Sequence, residues 1–105
     1  MTSYEITDSC YNLLWQEIDN SKKEYITSKL GFQEYFYSTC ISWMSGYLEG
    51  RKYYKWFDDD YSERKPAIEA FQDTIRMETG INISKIITEK IINYLNNKKG
   101  EYYGK

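Results

Sequence analysis

Apolar side chains recur at steps of three and four along most of the chain, as expected of helices that each bury one face. Behind Ser3 as a candidate N-cap, Ile6, Cys10, Leu13, Leu14 and Ile18 form one stripe and predict a first helix over about residues 4–19. Asp19, Asn20 and Ser21 interrupt it. Ser21 and Glu24 have capping-box spacing, so a second short helix or a kinked continuation should carry Tyr25, Ile26 and Leu30 inward and stop at Gly31. From Phe32, two adjacent stripes run in parallel: Phe36, Cys40, Trp43 and Tyr47 form one, and Tyr37, Ile41, Met44 and Leu48 the other. So wide an apolar face suits a central helix ending near Gly50 or running on to Phe57. Gly46 inside it costs about 1 kcal/mol against alanine, which close approach of another helix would offset.

Residues 58–65 have no apolar period and read as a solvent-facing loop. Pro66 suits the first turn of the next helix, which should turn Ala67, Ile68, Phe71, Ile75 and Met77 or Glu78 inward. Gly80 has the position of a left-handed cap, with Ile81 as its hydrophobic contact. A last helix, starting at Asn82 or Ser84, should pack through Ile83, Ile86, Ile87, Ile91, Tyr94 and Leu95 and fray from Asn96 to Gly100. No stretch alternates with period two. The pattern predicts an all-α, compact bundle of four to five helices with short loops, one domain over residues 1–100, and a flexible tail over 101–105. Tyr25, Trp43, Tyr47, Phe71 and Tyr94 fall in phase with the stripes and are assigned to the core.

Charge is uneven. Residues 1–50 hold three bases, Lys22, Lys23 and Lys29, against seven acids, while the remainder holds 11 bases and 9 acids. An overall charge of −2 and a pI near 5.2 argue against a nucleic-acid binder and suit a basic protein partner. No apolar run approaches the ~20 residues of a membrane span. The first residues show no basic and apolar leader, so a cytoplasmic location is expected. Cys10 and Cys40 lie in phase with apolar neighbours and read as buried thiols rather than a disulfide.

The aromatic content is high, with twelve tyrosines, three tryptophans and four phenylalanines, and histidine is absent. Acid–base catalysis near neutral pH most often uses imidazole, whereas binding surfaces favour Tyr and Trp. No nucleotide-binding glycine loop, catalytic triad or zinc-ligand set is present, so no enzyme activity and no cofactor are expected. The densest aromatic run, Tyr53, Tyr54, Trp56 and Tyr61, surrounds the triplet Asp58, Asp59 and Asp60, with Glu63 close behind. The triplet lacks the alternating ligands, the glycine and the twelfth-position glutamate of a calcium loop, so no metal is expected. Arg51, Lys52 and Lys55 interleave with rings as at single-strand nucleic-acid sites, but the acids after them would repel phosphate. A helix-turn-helix drawn over residues 68–95 fails where Arg76 and Glu89 replace a small and an apolar residue, and it offers only Lys85 and Lys90 to phosphate.

A small, acidic, aromatic-rich chain without catalytic equipment resembles in general character the immunity proteins that neutralise nuclease toxins of contact-dependent growth inhibition and colicin systems. The resemblance implies one-to-one binding to a cationic toxin domain whose active site is occluded by tyrosines and carboxylates in place of RNA or DNA phosphates, and for this chain the expected toxin is a ribonuclease. On this chain it points to Tyr53, Tyr54, Trp56, Asp58, Asp59, Asp60, Tyr61 and Glu63. Glu17, Asp19 and Glu24 form a competing surface. A phage-type inhibitor that mimics nucleic acid, or a small DNA-binding regulator, are the alternatives. Changing Asp58, Asp59 and Asp60 together to lysine is expected to weaken toxin binding without unfolding the domain; unchanged affinity in a calorimetric titration would remove that loop from the interface.

Overall fold

Caps and glycines decide where each helix of this chain begins and ends. The computed structural model describes residues 2–49 and 66–103, with the backbone alone from residue 100, and forms five α-helices and no strand among them. Helix α1 spans Ser3–Glu17 and is capped one residue earlier than expected. The Thr2 hydroxyl accepts from the Glu5 N–H at 3.1 Å, and the Glu5 carboxylate accepts from the Thr2 N–H at 2.8 Å. This reciprocal box satisfies two donors that the first turn would otherwise leave open.

Extended backbone at Ile18 separates α1 from α2, Asn20–Thr27, so the segment forms two helices rather than one kinked one. Asp19, not Ser21, caps α2 by accepting from the Lys22 N–H at 2.9 Å. A carboxylate at this position takes the free N–H groups more strongly than a hydroxyl does. The helix then closes early, and Gly31, with φ of 81°, reverses the chain into α3. Leu30, expected inward, is 107% exposed, and Tyr25, assigned to the core, is 46% exposed.

Helix α3, Phe32–Leu48, is the centre of the bundle and contacts each of the other four helices. Phe36, Cys40, Trp43, Met44, Gly46 and Leu48 are buried, while Tyr37, Ile41 and Tyr47 pack half-buried at the margin. The two parallel stripes thus become one wide seam. Trp43 stacks on Tyr47, with ring centroids 5.2 Å apart, and meets Phe71 edge-on at 5.0 Å.

Helix α4, Ala67–Thr79, starts one residue after Pro66, which occupies the N-cap rather than the first turn. Its inward face is Ala70, Phe71, Thr74, Ile75 and Thr79, and Met77, expected inward, is exposed. At 100° per residue Met77 lies on the side of the helix away from Ile75. Gly80 takes the left-handed conformation with φ of 77°, its N–H donates to the Arg76 carbonyl, and Ile81 is buried beside it.

Ser84 starts α5, Lys85–Tyr103, by accepting the Ile87 N–H at 3.2 Å. The buried face is Thr88, Ile91, Ile92 and Leu95, and Ile86, assigned to packing, points to solvent. Helix α5 continues past Asn96 to Tyr103, over the first three residues of the expected tail. The Tyr47 hydroxyl donates to Asn96 at 2.8 Å, and Lys99 lies 4.1 Å above the Tyr47 ring, which ties this stretch to α3. Residues 104 and 105 lie outside the described residues.

Cys10 and Cys40 are free and buried. Burial pushes the Cys10 thiol up to about 12 and the Cys40 thiol well above its ordinary value. Both therefore act as small apolar groups with little thiolate. Because Phe71 is fully buried against Trp43, Phe71→Ala should cost about 3–5 kcal/mol in a urea melt. Ile86→Ala, on the exposed face, should stay within about 0.5 kcal/mol of the parent.

Candidate functional site

Tyr53, Tyr54, Trp56, Asp58, Asp59, Asp60, Tyr61 and Glu63 lie outside the described residues. The competing acids can be placed, and two of the three are engaged within the fold. Glu17 is half-buried and accepts from Lys90 of α5, an ion pair that links the first helix to the last. Asp19 accepts from the Ser21 hydroxyl, the Lys22 N–H and the Lys22 ammonium. These bonds, the one from Ser21 foremost, hold its carboxyl well below the usual carboxylate range. Of the three, Glu24 alone is exposed and forms no ion pair among the described residues.

A different acidic surface runs along the outer side of α3, between α1 on one flank and α4 on the other. Neither α1 nor α3 contains a lysine or arginine. Two tyrosines near the start of α3 reach in opposite directions from its outer surface. Tyr37 donates to Asp8 of α1 at 3.0 Å, and Tyr35 donates to Glu78 of α4 at 2.7 Å. Beside Tyr37, a groove of about 380 Å³ is lined by Tyr11, Gln33, Glu34, Tyr37 and Ser38. On the Tyr35 side, a second groove of about 290 Å³ is lined by Tyr35, Ser38, Thr39, Ser42 and Glu78. Ser38 and Ser42, one helical turn apart, form the ridge and its continuation.

Electrostatically this face has one sign. Asp8, Glu34 and Glu78 form no ion pair among the described residues. A tyrosine hydroxyl takes up one lone pair of a carboxylate and leaves its charge and its other acceptor sites in place. Desolvation, the bond to Asp8 and the neighbouring Tyr4 push the Tyr37 hydroxyl up to about 12. The bond to Glu78 is the main cause raising Tyr35, and burial raises Tyr11, whose ring meets Tyr37 edge-on at 4.7 Å. All three hydroxyls stay neutral across the physiological range, and those of Tyr35 and Tyr37 donate to carboxylates. Among the described residues no three acids or thiols lie close enough to hold a metal ion.

Such an arrangement can receive cations: guanidinium or ammonium groups on the carboxylates, with tyrosine rings as flat neighbours. The excess of acid over base in residues 1–50 already pointed to it. The particular residues were hidden because Asp8 and Glu78 are 70 positions apart in the chain and are brought to the two flanks of α3 only by the fold. No helix among the described residues is long and apolar enough to cross a membrane. No family model, curated protein or solved structure matches the chain.

The Tyr37 proton provides a check on the geometry. An unfolded tyrosine ionises near 10, so the raised folded value makes this group's contribution to stability complete below about pH 10. The contribution is lost as the pH rises through about 12. Tyr37→Phe should therefore flatten the fall of unfolding free energy over that window, measured by denaturant melts. An unchanged slope would place the Tyr37 hydroxyl away from Asp8.

Proposed function

We propose that this chain is a cytoplasmic immunity-type inhibitor that binds a cationic nuclease toxin, a ribonuclease domain, and occludes its active site. The observation that carries the reading is the face shared by α1, α3 and α4. There Asp8, Glu34 and Glu78 stand with Tyr35 and Tyr37, and α1 and α3 supply no base to neutralise them. A nuclease site is built from bases that hold phosphate, and carboxylates beside flat rings present it with comparable charge and stacking surface. Opposite charges speed the encounter, and buried rings slow dissociation.

The segment with Asp58, Asp59 and Asp60 remains part of the proposal as a second contact. Helices α3 and α4 run antiparallel, with Tyr35 against Glu78 near one end and Trp43 against Phe71 further along. Leu48, the last residue of α3, lies roughly 20 Å along the helix from Tyr35 at 1.5 Å per residue. The acidic triplet and the helical face are tested by separate substitutions. Against the regulator alternative, Lys90 is engaged with Glu17, which leaves Lys85 as the base of the first turns of α5.

Glu34→Lys should weaken binding to a cationic nuclease toxin domain at least about tenfold and reduce the salt dependence of its association rate. Surface plasmon resonance at several ionic strengths measures both. Unchanged affinity would remove the helical face from the interface. Co-purification of a host nuclease instead would favour the phage-type inhibitor, and a salt-steep shift of duplex DNA would favour the regulator.

A further inference from the structure

The exposed apolar side chains are concentrated at one end of the bundle. Six large hydrophobic residues are exposed among the described residues, and five of them, Tyr25, Leu30, Tyr35, Met77 and Ile86, belong to elements that meet at this end. These are α2, its turn into α3, the first turn of α3, the last turn of α4 and the first turn of α5. A groove lined by Ser21, Lys22, Tyr25, Gly80, Ile81 and Asn82 sets α2 directly beside the α4–α5 turn. The bond from Tyr35 to Glu78 joins the start of α3 to the end of α4.

The most prominent of the five is Leu30. It is 107% exposed at the tip of a turn whose reversal is made by Gly31, so the fold itself has no use for an apolar side chain there. Around it the rings are held in place. Tyr25 and Phe32 meet edge-on at 5.6 Å, and the Lys29 ammonium lies 5.2 Å above Tyr25 and 6.0 Å above Phe32. Apolar surface gathered in this way marks an interaction site.

The charges beside the patch say what covers it. Lys29 and Glu24 flank Tyr25 and Leu30, and neither forms an ion pair among the described residues. An acidic partner or an anionic lipid surface would leave Glu24 opposed by like charge, and a basic partner would do the same to Lys29. A two-fold interface is self-complementary: a residue contacts its opposite number's neighbour, and the contact is repeated by symmetry. We infer that this end of the bundle is a homodimer interface, with Leu30 of each copy packed against Tyr25 and Phe32 of the other and with Glu24 and Lys29 paired reciprocally across the axis. The inference concerns the chain with itself and rests on Tyr25, Leu30 and Phe32, none of which belongs to the tyrosine–carboxylate face.

Sedimentation equilibrium of the full chain from micromolar to millimolar concentration tests it. The parent should dimerise reversibly, and Leu30→Asp should raise the dissociation constant at least about tenfold, since loss of a buried leucine contact and an added buried charge both oppose association. Being fully exposed, Leu30 can be changed without disturbing the core, and a thermal melt checks this. Glu24→Lys and Lys29→Glu should each weaken the dimer, and the two together should restore it. A parent that stays monomeric throughout, a dimer indifferent to Leu30→Asp, or a double reversal no better than either single one would overturn the inference.

Discussion

The indole of Trp43, stacked on Tyr47 and edge-on to Phe71, ties α3 to α4 in the middle of the domain, and Tyr47 carries the connection on to α5 through Asn96 and Lys99. Aromatic contacts of this kind add about 0.5–1.5 kcal/mol to the burial of the rings themselves. Their larger effect is geometric. With the wide seam of α3 turned inward, its remaining positions, Glu34, Tyr35, Ser38, Thr39 and Ser42, have no choice but to face out beside α1 and α4. The acidic, hydroxyl-rich face is therefore the other side of the same helix that organises the core.

Three of the four buried threonines on the flanking helices are accommodated locally, whereas the Thr74 hydroxyl has no hydrogen-bond partner among the described residues. Thr7, Thr79 and Thr88 are buried, and their hydroxyls donate to the carbonyls of Ser3, Ile75 and Ser84, four residues earlier in each case. A hydroxyl satisfied within its own helix needs no partner from the next one. Threonine can then occupy core positions that a leucine-based reading of the periodicity would overlook. Thr88 does so on α5, where it and Ile92 face the core while Ile86 faces solvent.

Long periodic stretches were legible in the sequence. Both stripes of α3, the left-handed Gly80 and the buried Ile81 followed from spacing alone, because each depends on residues within a turn or two of one another. Ends and phases were less legible. Leu30 and Tyr25 fit an inward stripe only if α2 continues, and it stops at Thr27. Ile86 and Ile87 are neighbours on a helix and cannot share one face equally, so counting isoleucines could not choose between them. For the candidate site, the surplus of acid was plain, but which acids remained unpaired was not. Glu17 finds Lys90 at a separation of 73 residues, and Asp19 is taken up by the N-terminus of α2. Both partnerships arise from tertiary contact or from a cap whose position the box at Ser21 concealed.

The distribution of lysine over the bundle has a practical side. Among the described residues every lysine belongs to α2, the turn after it, or α5, and none to α1, α3 or α4. Among the described residues, amine-directed reagents therefore have side-chain targets on α2, the turn after it and α5, and none on α1, α3 or α4. Modification mapped at those lysines would report on the exposure of α2 and α5 and not on the face that carries Asp8, Glu34 and Tyr37.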